Sequence, residues 1–389
     1  MTDRLLTSIK KQNVLSSSRV LSIRNTMKDH FIPGLKAAEL FYHEVVHPIL
    51  DEHFPGLKHA AGKLHRGSDV LGFDTPHSMD HDWGPSKLDL FLEEEACDQS
   101  GQKIATVMTD SLPHEFHDLP VDFEDPGIDG GTIKFVAAGP VSHQIKVTTV
   151  RRFFEDYIGL HPLDGLEAVD WLLIAPQFLR TIACGKIFHD GLDELTQTRD
   201  TLAWYPHEIW LYLMACQWRK IDQEEPFMAR CGDVGDDLGS RLIAARLIEE
   251  LMRLCFLMEK QYWPYAKWFG TAFSKLKCAE RLTPIFNTVH SAKNWREREN
   301  DLSTAYLQVA HMHNELAVTN QVKPQISDFH TRSYRVPQSS RFVDALYAQI
   351  SSKAVKALPQ DVGGVAQYVN STDILDRPYR CKKLRGVYE

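Results

Sequence analysis

From about Pro33 to Asp51 the apolar residues Leu35, Ala38, Phe41, Val45, Val46 and Ile49 recur at three- and four-residue steps, which predicts a helix closed by "FPGL". The period then shortens. "LDLFL", ending at Leu92, alternates like a half-buried strand, and "EACDQSGQKIATVMTDSLP" returns to a helix stopped at Pro113. "TIKFVAAGP" and "HQIKVTTV" are short and β-branched around a Gly-Pro turn, which predicts another pair of strands. From about Leu166 the character changes: "IWLYLMACQW", "SRLIAARLIEELMRLCFLME" and "TAYLQVAHMHNELAV" are long helical patterns with few strand candidates between them. The clearest helix begins near Gly239, with Leu242, Ala245, Ile248, Leu251, Leu254 and Cys255 assigned to one face. These patterns predict an α+β chain, a small mixed-sheet domain followed by a mainly helical one. The expected boundaries are a polar leader at 1–30, an α/β domain at 31–160 and a helical domain at 161–389.

Composition agrees with an ordinary folded protein: 389 residues, 43% hydrophobic and 25% charged, enough for two domains of roughly 100–200 residues each. A formal net charge of −8 argues against an extended nucleic-acid surface, which needs concentrated Lys and Arg to displace counterions. A small anionic ligand needs only a few local cations. The opening "MTDRLLTSIKKQNVLSSSRV" has neither the apolar core of a signal peptide nor a membrane-spanning run, so a cytoplasmic protein without membrane partners is expected. Seven widely spaced cysteines without a C-x-x-C pair suit reduced thiols better than disulfides or zinc.

The densest chemistry lies in "GSDVLGFDTPHSMDHDWGP". Gly67 lets backbone amides approach a phosphate closely, and Ser68 adds a hydroxyl donor. In an extended stretch Asp80 and Asp82, two residues apart, project to one face, where two carboxylates repel unless protonated or bridged by a cation. Magnesium suits that bridge, being hard and oxygen-seeking while keeping positions open for triphosphate and water. The segment resembles the Gly-Ser and Asp-x-Asp signature of the nucleotidyltransferase superfamily of DNA polymerase β-like fold. Together with "LAWYPHEIWLYLMACQWRKIDQEEPFMARCGDVGDDLGSRLIAARLIEELMRLCFLMEKQYWPYAKWFGTAF" and "LPQDVGGVAQYVNSTDIL", it is similar to a nucleotidyltransferase-like family known mainly as a domain of unknown function. That resemblance, from about Phe31 onward, implies a small α/β catalytic fold followed by helices, with a nucleotide as ligand. Its acid pair normally runs straight into an apolar strand, whereas here Trp83-Gly84-Pro85 intervenes, and proline cannot donate to a central ladder. Either a bulge follows Asp82, or the strand starts at Lys87 and Asp89 is the second inward acid.

Active members also carry a third carboxylate on a later strand, where "HQIKVTTV" offers Lys146 and Thr148. A replacement is sought in "DQEEPFMARCGDVGDDLGSR": Glu224 and Glu225 are candidate general bases, while Asp236 and Asp237 are equally well read as a helix N-terminus. Lys267, among aromatics, is either a snorkelling lysine or a point charge for a triphosphate. His311 and His313, two apart on a helix, point in different directions and do not make a zinc pair, and "RGSDV" is not a G-x-S-x-G hydrolase elbow. The expected activity is magnesium-dependent transfer of a nucleotidyl group from a nucleoside triphosphate to a small-molecule or protein acceptor. The alternatives are a nucleotide-binding regulatory protein that has lost transfer, or an interaction scaffold.

Overall fold

A computed structural model describes residues 31–79, 83–122 and 139–389. The leader at 1–30, the acid pair Asp80 and Asp82, and all but the last two residues of "TIKFVAAGP" lie outside these residues. The chain divides into two compact units. One comprises Met1–Phe154 and Thr181–Asp200; the other comprises Glu155–Arg180 and Thr201–Glu389.

In the first unit the predicted helical stripe forms α1 (Gly34–Phe41), which continues through one π-helical turn at Tyr42–Val46 into a last stretch, His47–His53. Strands β1 (His59–Lys63) and β2 (Asp89–Leu92) pair antiparallel, with Ala61 opposite Leu90 and Gly62 opposite Asp89. Helix α2 (Glu94–Ser111) and a two-residue-strand hairpin, β3 (Glu115–Phe116) with β4 (Leu119–Pro120), follow. β5 (Lys146–Thr148) lies parallel to β2, and β6 (Lys186–Asp190) antiparallel to β1, so the mixed sheet has the order β5-β2-β1-β6. Leu90 and Leu92 share one face of β2 and pack with Ile104 and Met108 of α2 and with Phe41 and Val46. Burying each such side chain contributes about 1.5–3 kcal/mol.

β1 reads "HAAGK", with no β-branched residue, yet all five positions are buried. Small side chains let its neighbours close in. A Cβ on Gly62 would lie 2.8 Å from the Lys186 carbonyl oxygen, at the bulge where β6 changes register.

The second unit is built from α3 (His207–Glu224), α4 (Phe227–Asp233), α5 (Asp237–Met258), α6 (Ala266–Phe273), α7 (Ala279–Ser291) and α8 (Trp295–Glu315), followed by a hairpin of β7 (Ser327–Phe329) and β8 (Arg332–Val336) and by α9 (Ser340–Tyr347). α3 is almost wholly buried from Ile209 to Trp218, with Trp218 stacked 4.2 Å from Phe342 of α9. Asp236 caps α5 by accepting from the Gly239 amide at 2.8 Å, the structural role open to it in the sequence. The buried stripe of α5 differs from the expected one: Leu242 is 59% exposed and Ala245 is exposed, while Ala244 and Leu247 are buried beside Ile248, Leu251, Leu254 and Cys255. Successive steps of three fall short of the 3.6-residue turn, so a strict three-residue series drifts off the packed face.

The chain "LPQDVGGVAQYV" docks on α3. Tyr212 donates its hydroxyl to the Pro359 carbonyl at 2.7 Å and accepts from the Gly363 amide at 3.2 Å. Gln367 donates to the Leu213 carbonyl and to Gln217 Oε1, and Gln217 donates to Glu250 at 2.6 Å. Two of the segments that carried the family resemblance therefore satisfy each other's buried polar groups.

Candidate functional site

The chain leaves β1 through Leu64, His65 and Arg66 into Gly67 and Ser68, which open a hydrogen-bonded turn: the Gly67 carbonyl accepts from Leu71 N at 3.3 Å and the Ser68 carbonyl from Phe73 N at 2.8 Å. Gly72, at φ +70°, ends that turn in the left-handed conformation that favours glycine. Directly after Ser68, Asp69 turns inward. Its Oδ2 forms an ion pair with Lys63 of β1, both side chains 0% exposed, and its Oδ1 accepts from Val70 N at 2.9 Å. Burial pulls the Lys63 ammonium below the ordinary lysine value, and Asp69 pulls it back.

A second carboxylate, Asp74, fixes the far side of the turn. Its Oδ2 accepts from Gly34 N at 2.8 Å and from the Trp83 indole at 3.0 Å. Gly34 must be glycine for packing reasons, since a Cβ there would lie 2.6 Å from Asp69 Oδ2 and overlap the Trp83 ring. Trp83 is 1% exposed and packs with Ala37 and Leu119, with Phe31, Ile32 and Met79 against the cluster. Met79 and Trp83, the two residues that flank Asp80–Asp82, thus belong to one packed group.

Trp83-Gly84-Pro85 is not part of a strand; β2 starts at Asp89. Asp89 is 2% exposed. Its Oδ2 lies 2.9 Å from His65 Nδ1, but the pair is not aligned as a hydrogen bond and neither atom has another hydrogen-bond partner among the described residues. On β5 the residue opposite Asp89 is Lys146, and the strand Lys146–Thr148 contains no carboxylate. Among the described residues no group of three or more His, Cys, Asp or Glu side chains has a metal-binding arrangement.

The other sequence candidates lie in the helical unit. Glu224, the last residue of α3, is ion-paired with Arg246 of α5, and its Oε2 is buried with no hydrogen-bond partner among the described residues. Burial raises its carboxyl above the ordinary value. Glu225 is 4% exposed and accepts from Ser339 N at 3.1 Å and Ser339 Oγ at 2.8 Å. Burial outweighs those donors and pushes it up to about 7. Nearby, Tyr306 is 2% exposed, and its hydroxyl has no hydrogen-bond partner among the described residues. Lys267 is exposed on α6, its ammonium 5.1 Å from the ring of Trp268. His313 is fully buried and accepts from Trp218 Nε1 at Nδ1, so its Nε2 carries the proton and donates to Thr319; burial depresses it to about 4. His311 is exposed.

Lys63, Asp69, Asp74 and Trp83 are the residues that a motif reading passes over. Their signal is a lysine at the end of a small-residue strand and acids inside a glycine-rich turn, a pattern with no meaning until the turn folds back on α1. A histidine group is similarly hidden: His47, His59 and His189 have ring centroids 4.8–5.8 Å apart. His59 is anchored at both nitrogens, by the Leu57 carbonyl at Nδ1 and the Tyr42 hydroxyl at Nε2.

Residues 171–269 match the family model described as "Domain of unknown function (DUF4037)". That match includes β6, α3, α4 and α5, and it does not include Gly67–Trp83. No curated protein and no solved structure matched the chain.

Proposed function

We propose that this chain is a magnesium-dependent nucleotidyltransferase acting from a nucleoside triphosphate on a small-molecule or protein acceptor in the cytoplasm. The observation that carries the reading is the order of elements in the sheet unit. A central strand, β1, runs into the Gly67-Ser68 turn, and the antiparallel return strand, β2, opens on a buried carboxylate, Asp89, whose Oδ2 lies 2.9 Å from His65 Nδ1 and has no hydrogen bond among the described residues. Magnesium would be held by Asp80 and Asp82, and the Asp89 oxygen is of the hard anionic type that could join them. When bound, the ion would neutralise charge on the triphosphate. The Gly67 amide and Ser68 hydroxyl would hold phosphate, with Lys63 and Asp69 keeping the turn on its strand. Lys267 is the candidate cation from the helical unit. Of the two acids proposed as general base, Glu224 retains an oxygen without a hydrogen bond among the described residues, while Glu225 is engaged by Ser339.

The test is triphosphate binding with and without magnesium, followed by pyrophosphate release in a metabolite pool. Release that disappears in Asp80→Ala and Asp82→Ala, with folding intact, supports transfer. No triphosphate binding in either condition refutes the proposal. The absence of a carboxylate on β5 favours one second reading, a nucleotide-binding regulator without transfer. Binding without pyrophosphate release selects it.

A further inference from the structure

The helical unit contains a cavity of about 660 Å³, within the size range of small-molecule sites, bounded by the end of α5, the α6–α7 connection and the end of α8. In a chain of net charge −8, its described lining is strongly positive: five cationic side chains and two carboxylates. One carboxylate is already engaged, since Glu259 accepts from the backbone amides of Lys277 and Cys278, each at 2.8 Å. Arg180 is 8% exposed and held in the wall by donating to the Tyr262 carbonyl at 2.6 Å. Lys275, Lys277 and Arg281 are exposed, and no carboxylate among the described residues pairs with them. Between the charges the lining is apolar, from Met258, Leu276, Met312 and Leu316.

We infer that this cavity binds a small anionic amphiphile, a phosphate or carboxylate attached to an apolar body. Three exposed cations left unneutralised beside one concavity cost self-repulsion that an anion relieves, and a buried guanidinium suits a tetrahedral oxyanion. The methionines and leucines remove an apolar tail from water and adapt to its shape. The same chemistry occurs in a phospholipid of a membrane, and the experiment separates the two sources. The inference does not depend on the nucleotidyltransferase proposal, because every lining residue belongs to the helical unit.

The probe is monomeric octyl phosphate, titrated calorimetrically into the full chain. A dissociation constant on the order of 0.1–1 mM is expected, with inorganic phosphate at least about tenfold weaker. Lys277→Glu with Arg281→Glu should weaken octyl phosphate by about tenfold or more while thermal unfolding is unchanged, since both side chains are exposed. Asp80→Ala should leave the titration unaltered. No heat of binding, equal affinity for inorganic phosphate, or indifference to the double reversal would overturn the inference. So would sedimentation with phosphatidylglycerol vesicles in the absence of octyl phosphate binding, which assigns the cations to a membrane surface.

Discussion

Lys63 and Asp69 form an ion pair with no exposed atom on either side chain, and the two ways of breaking it should have opposite pH dependence. Lys63→Met strands a buried carboxylate; Asp69→Asn strands a buried ammonium. Each single change should cost about 3–5 kcal/mol near neutral pH, because the remaining charge keeps its desolvation penalty and loses its counterion. Each stranded group can escape by changing protonation. In Lys63→Met the carboxyl of Asp69 rises above its unfolded value, so stability recovers as pH falls. In Asp69→Asn the lysine drops further below its unfolded value, so stability recovers as pH rises. The slope approaches about 1.4 kcal/mol per pH unit while the folded and unfolded states differ by one proton. The double variant carries neither charge and keeps an oxygen to accept from Val70 N, so it should be more stable than either single one at neutral pH, short of wild type by about 1–3 kcal/mol for the new side-chain amide NH2 left buried without an acceptor. Because a chain of two units need not unfold in one step, the measurement is hydrogen exchange of a peptide containing His59–Lys63 at about pH 5, 7 and 9, corrected for intrinsic rates, with an α3 peptide as control. Costs below about 1 kcal/mol, or slopes of the same sign in both single variants, would refute a buried charged pair.

Three further outcomes follow from described contacts. Glu225 is raised from 4.5 to about 7, so wild type should lose stability as pH climbs through that interval; Glu225→Gln should flatten the loss and gain up to about 3 kcal/mol above it, read from urea unfolding of α3 and α9. Tyr306→Phe should be neutral or stabilising by up to about 1 kcal/mol, since it deletes a buried hydroxyl without a partner; a loss above about 2 kcal/mol would mean that the oxygen has one. Burial and the neighbouring imidazoles of His47 and His189 hold His59 below the ordinary histidine value, while Asp51 opposes them. The sheet unit should therefore keep this contribution above about pH 6.5 and lose it on acidification. His189→Gln should move the acid transition to lower pH in a proteolysis assay, and an unchanged midpoint would contradict the coupling.

Long amphipathic helices were legible because their pattern repeats over several turns: the stripe at Leu35–Ile49, α2, and the cores of α3, α5 and α8 were all visible in the sequence. β2 and β5 were legible from alternation and β-branching. β6 was not, because "KIFHD" is five residues with one strong apolar pair, and its partner β1 signals itself through small residues whose role is to admit close neighbours. The β7–β8 hairpin escaped for the same reason of length. In the candidate site, a motif reading could find Gly67, Ser68 and the possible inward turn of Asp89. It could not find Lys63 paired with Asp69 or Asp74 tied to Gly34 and Trp83, because those contacts depend on how the turn folds back on β1 and, for Gly34, on α1.

The return of Thr181–Asp200 to the sheet unit has a consequence for synthesis. Ala60 of β1 cannot meet Asp190 of β6 until roughly 130 further residues have been made, which at ribosomal rates is many seconds. Until then β1 presents an open hydrogen-bonding edge, narrow and built of alanine and glycine, to whatever else is nearby. A chain truncated after Phe154 would make that delay permanent, so nascent-chain chaperones and edge-to-edge aggregation should both be most evident in fragments that stop short of Asp190.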